Sequence, residues 1–126
     1  MSEPRKYDLL EHTETFSLNV RDFCLLQKQD IINREYISQL IRSAGSVAAN
    51  YIEANENLGD KDLKFRIKVC RKESRESQLW LKHILTGGQA EHEKTRLLLL
   101  KESVELEKIF GAILRKLVAK DVEKPI

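Results

Sequence analysis

Proline occurs only at Pro4 and Pro125, so the whole interior of the chain is free of it. Such an interior is hard to reconcile with many turns or strands, because turns recruit proline and sheets end on it. It suits a few long helices. The apolar spacing agrees. Leu9, Thr13, Phe16, Val20 and Phe23 recur at three and four, one face of a first helix over about 8–28. Ile37, Leu40, Ile41, Ala44, Val47, Ala48 and Tyr51 line a second over about 34–56, with Asn33 as the candidate N-cap. A third follows over about 61–86, capped by Asp60 and stopped near Thr86-Gly87-Gly88. A fourth, over about 93–119, carries Leu99, Ser103, Leu106, Phe110, Ile113 and Leu117. Short connections, such as the polar turn at Asn57-Leu58-Gly59-Asp60, make neighbours antiparallel. The expected fold is all-α: an up-down-up-down four-helix bundle in a single domain over residues 1–126.

Several function classes fall away. Cys24 and Cys70 are too few and too far apart for a zinc motif or a disulfide framework, so they read as reduced, buried thiols of a cytoplasmic protein. The N-terminus lacks an apolar leader, and the longest apolar run, Leu97 to Leu100, is far too short to span a bilayer. No membrane partner is expected. The residues three before His12, His83 and His92 are Leu9, Trp80 and Gln89, so the Glu-x-x-His pair of a di-iron bundle is missing. There is no phosphate-loop or dinucleotide fingerprint. Glu73-x-x-Glu76 lies among arginines and reads as an ion-pairing carboxylate pair rather than an acid–base dyad. We expect no enzyme, no cofactor and no metal.

What chemistry remains lies on helices two and three. Ser43, Ser46, Asn50, Glu53 and Asn57 form one polar stripe, and Gly45 interrupts the helix beside it. A mid-helix glycine among small residues marks a close approach by another backbone. Gly45, Ser46, Asn50 and Glu53 are therefore a packing motif, or the lining of a binding groove. On helix three, Lys64, Lys68, Arg71, Arg75 and Lys82 fall within about 60° of one another. Residues 61–82 hold eight basic and three acidic side chains, +5 in a chain of +2. So one-sided a stripe suits phosphate, and nucleic acid is the expected partner, RNA ahead of DNA. A solvated face paired with acids from elsewhere is the alternative. Phe65, Val69 and Trp80, with Glu73 and Glu76 at the edge, make a second stripe turned away from the core. It implies another subunit, hence a homo-oligomer, with an intrachain position under the N-terminal segment as the alternative.

Two segments resemble a known family. Ser46-Val47-Ala48-Ala49-Asn50-Tyr51-Ile52-Glu53-Ala54 is similar to the helix-two signature of bacterial four-helix-bundle proteins called 23S rRNA intervening-sequence proteins. Lys72-Glu73-Ser74-Arg75-Glu76-Ser77-Gln78-Leu79-Trp80-Leu81 resembles the K-E-x-x-E-[ST]-x-x-W-L of one branch, and Asp60, Asp62 and Phe65 match its turn and helix start. Leu63-Lys64 is less typical there, and Tyr51 stands where the family commonly has isoleucine. The resemblance covers Tyr7 to Leu85 and extends to helix four only by pattern. It implies a ring-shaped homopentamer. It also implies a kinship with the accessory protein of diversity-generating retroelements, which binds a reverse transcriptase and nucleic acid. Two roles follow as expectations. One is a non-enzymatic scaffold that binds nucleic acid. The other is a protein–protein adaptor, docking a polymerase, with nucleic-acid contact incidental.

Overall fold

A computed structural model describes residues 8–56 and 58–123; Pro4, Tyr7, Asn57 and Pro125 lie outside them. The described residues form four helices: α1 (Leu9–Leu25), α2 (Ile31–Glu56), α3 (Asp60–His83) and α4 (Ala90–Glu123). α1 packs on α2 and α4, and α3 packs on α2 and α4, while α2 and α4 meet across the diagonal through the rings of Tyr51 and Phe110, 5.8 Å apart. α2 and α3 run antiparallel, as the Ser43–Ser77 and Asn50–Arg66 hydrogen bonds require, and so do α3 and α4, where Gln78 meets Glu107 and Lys64 meets Asp121. This is the expected up-and-down bundle. At its centre Phe16, Phe23, Leu40, Ile67, Leu81, Leu106 and Phe110 are almost wholly removed from water. His12 Nε2 and Glu102 Oε1, 3.2 Å apart, close α1 against α4.

Several helix ends differ from the sequence reading. Asp8 caps α1, its carboxylate accepting from Glu11 N–H at 3.2 Å. α1 stops at Leu25 because glutamine side chains take over its last carbonyls. Gln27 Nε2 donates to Phe23 O at 2.9 Å and Gln29 Nε2 to Cys24 O at 3.3 Å. Asn33 is not the cap of α2. Asp30 fills that role, accepting from Asn33 N–H at 2.8 Å. Asp60 is likewise the first helical residue of α3, preceded by Gly59 at φ 131°.

The larger correction is at the other end of α3. The helix stops at His83, before the glycines, which shape the following loop at φ 68° and 74°. Ile84 turns extended and is 1% exposed, which leaves Leu85, inside the expected helix, 55% exposed. Arg96 holds this break. From the first turns of α4 its buried guanidinium donates to Leu81 O and to Ile84 O, and is gripped by both oxygens of Glu93. Thr86 Oγ1 donates to the same carboxylate. Asn33 ties in the other connection. Its Nδ2 donates to Lys28 O and Leu85 O, both at 2.9 Å, and its Oδ1 accepts from Leu85 N–H at 2.8 Å. Two loops far apart in sequence are thereby sewn into one bundle end.

The small residues of α2 do permit close packing, though not at Gly45. Ser43 and Ser77 hydroxyls meet at 2.9 Å, and Cys70 Sγ–H donates to Val47 O at 3.5 Å. Nothing lies within 4 Å of a Cβ placed on Gly45. The position is open, so the close approach read from the glycine does not occur within the chain. Ile41, on the same side of the helix, is 47% exposed, although its spacing suggested core.

Two outcomes follow. Arg96→Leu leaves the end carbonyls of α3 without their donor and should lower unfolding free energy by about 3 kcal/mol in urea melts. Gly45→Ala should raise it by up to about 1 kcal/mol, as for an open mid-helix glycine, and a loss instead would restore the close-approach reading.

Candidate nucleic-acid interface

α3 has two flanks, set by its two neighbours. The core-facing residues Ile67, Cys70, Ser74, Ser77 and Leu81 lie between them. Toward α4 lie the basic residues. Arg71 reaches Gly111 of α4, Gln78 Nε2 donates to Glu107 at 2.9 Å, and Lys64 meets Asp121. Lys64 is thus half-buried and neutralised, which removes it from the free positive stripe. Lys68, Arg71, Arg75 and Lys82 are exposed, and none forms an ion pair among the described residues. Arg71, Lys72, Arg75, Glu76, Leu79 and Glu107 border one open groove here. No aromatic ring stands in it.

Toward α2 the helix presents the other set. Trp80 is half-buried and stacks on Tyr36 of α2 with ring centroids 6.1 Å apart, and His83 closes the cluster at 5.1 Å from Tyr36. The ring expected to anchor another subunit is therefore seated on its own chain, although its Nε1 is buried without a hydrogen-bond partner. Val69 is half-buried. Only Phe65, at 56% exposure, stands clear, with the Arg66 guanidinium 5.5 Å from its centroid.

The helix-two stripe lies on this same flank. Asn50 Nδ2 donates to Ser46 O and Ser46 Oγ, while Asn50 Oδ1 accepts from Arg66 at 3.0 Å. Arg66 in turn lies 3.5 Å from Asp62. Ser46 and Asn50 hold α2 to α3; Glu53 is exposed and outside this network. Asn57 lies outside the described residues.

Glu73 is the least expected member. It is 5% exposed, one carboxylate oxygen lacks a hydrogen-bond partner, and Lys72 Nζ is 3.8 Å from the other. Burial pushes its carboxyl above the ordinary 4.5, the Glu76 charge adds to that, and Lys72 and Arg42 oppose it. Sequence reasoning placed Glu73 at a rim because periodicity gives a direction but not how near α2 comes. Cys24 and Cys70 are buried and free, their thiols pushed up to about 12 by burial. Among the described residues no group of three His, Cys, Asp or Glu could hold a metal ion, and no helix is long and apolar enough to cross a membrane.

No family model and no curated protein matches the chain. A solved structure does. It is a protein of unknown function from the S23 ribosomal protein family of Bacteroides thetaiotaomicron. The TM-score is 0.69 at 19% identity, over 85% of this chain and 98% of that one. The likeness is one of fold. It extends over nearly the full length of that protein.

The buried Glu73 has a pH consequence. Its folded carboxyl holds a proton more tightly than the unfolded chain does, so its cost is absent at low pH and appears as pH rises above 4.5. Glu73→Gln should raise the melting midpoint at pH 7 and leave it nearly unchanged at pH 4. An equal shift at both would separate the effect from ionisation.

Proposed function

We propose that this protein is a non-enzymatic, self-associating four-helix scaffold that holds nucleic acid, RNA foremost, through phosphate contacts on the α4-facing flank of α3. One observation carries the reading. Lys68, Arg71, Arg75 and Lys82 share one flank, exposed and without acidic partners among the described residues. Lys64, on the same flank, and Arg66 and Lys72, off it, each meet a carboxylate instead. Like charges spaced three and four apart repel along a helix, and a polyanion relieves that. From Lys68 to Lys82 the helix rises about 21 Å, enough to follow several phosphates. With no aromatic ring in the groove, base stacking adds little, so duplex and single strands should bind comparably. Contacts of this kind position a strand and do not read it. The fold neighbour's place in a ribosomal protein family is in keeping with an RNA-related role.

The ring-shaped pentamer implied by the family resemblance belongs to the same proposal. Phe65 is the exposed member of the α2-facing flank and the natural contact for a second copy. A homo-oligomer would repeat the basic flank around its axis and add avidity.

The adaptor reading keeps one specific support. Leu25, Leu26, Ile31, Leu85, Leu97 and Leu98 are each more than half exposed, and all lie at the bundle end sewn by Asn33 and Arg96. An apolar end of this kind suits a protein partner.

A salt titration with labelled RNA tests the first reading. Lys68→Glu/Arg75→Glu should lower affinity and flatten the log–log salt slope by roughly 0.7–0.9 per lost phosphate contact. Equal affinity and slope in both proteins would put the adaptor reading ahead. Light scattering should return a mass well above one 14.7 kDa chain at micromolar concentration, and Phe65→Glu should reduce it.

A further inference from the structure

We infer that Arg71 and Arg115, from different helices, form a phosphodiester-binding position over Gly111; this rests on the nucleic-acid reading above. Gly111 is buried in α4, on the side that faces α3. The point where its Cβ would stand is 3.5 Å from Arg115 Nη1 and 3.9 Å from Arg71 Cδ. Two arginine side chains thus converge on one bare stretch of backbone. Both are exposed, and neither forms an ion pair or a side-chain hydrogen bond among the described residues. The nearby carboxylate of Glu107, which borders the groove with Arg71 and Arg75, is already engaged by Gln78.

Two arginine side chains that meet over one glycine bring like charge to a single seam, and an anion bound between them relieves that. A phosphodiester oxygen pair matches the planar fork of each arginine, and both side chains are exposed to meet it above the glycine. Lys64 cannot serve in the same way, because Asp121 already occupies it. The positive track therefore does not continue straight along α3. It passes Lys82, Arg75 and Arg71, then crosses the seam to Arg115. A strand bound here lies over the α3–α4 groove rather than along the crest of one helix.

The experiment uses the full chain and a labelled 20-nucleotide oligouridylate RNA, titrated with salt. Arg115→Gln should weaken binding about threefold or more and lower the log–log slope by about 0.7, one single-strand phosphate contact. Gly111→Asp keeps both arginines but sets a carboxylate between them, where a Cβ meets only ordinary van der Waals contact. It should weaken binding at least as much, with helicity and oligomer mass retained. If Gly111→Asp fails to fold, Arg115→Gln, at an exposed position, gives the readout alone. Wild-type affinity and slope in Arg115→Gln, alongside loss of both in Lys68→Glu/Arg75→Glu, would overturn this inference and leave the broader reading standing. No loss in either protein would overturn both.

Discussion

The rest of the bundle depends on one buried charge. Arg96 is 9% exposed, and its guanidinium is satisfied by two carbonyls of the α3 end and by the carboxylate of Glu93. A cation is costly to bury unless every donor is used, so this arrangement tolerates little displacement. It determines where α3 stops, and hence how α4 starts back along it. Thr86 and Asn33 complete the knot by fixing the glycine loop and the α1–α2 turn to the same end. From that anchor the register of α3 on α4 follows, including the placement of Arg71 against Gly111 and of Lys64 against Asp121.

The two flanks of α3 meet different physical demands. The α2-facing flank is closed by hydrogen bonds and rings. Ser43 meets Ser77, Arg66 bridges Asp62 and Asn50, and Trp80 stacks on Tyr36. Most of what is conspicuous in the helix-two and helix-three segments is thus consumed in holding two helices together. Glu73 is the exception, a carboxylate drawn under cover with Glu76 nearby and one oxygen unsatisfied. The α4-facing flank keeps its charges in water. Two acids, Glu76 and Glu107, border its groove; Glu107 accepts a hydrogen bond from Gln78, and the surplus of arginine and lysine along the flank remains available to an outside anion.

Much of the fold was legible in the residues. The absence of interior proline and the three-four spacing of Leu9, Thr13, Phe16, Val20 and Phe23 suffice for long amphipathic helices, and all five are buried. Helix ends were harder to place, because they depend on competing partners for the last carbonyls. The glutamines after α1 and the arginine of α4 act from outside the helices they terminate. Glu93 and Arg96 stand three apart in the chain, and no local pattern says that the arginine reaches back to Ile84.

The sequence by itself determined the class of fold, the number of helices, the buried thiols and the one-sided charge of α3. These follow from composition and periodicity, which act within a single helix. Only the tertiary structure decided which of those charges remain free. Ion pairing depends on a partner many residues away, and the distance to it is set by packing rather than by spacing. That is why Asp121 takes Lys64, why Trp80 turns inward to Tyr36, and why Gly45 is open while Ser43 carries the close contact. It is also why Arg115, unremarkable in the chain, comes to stand beside Arg71.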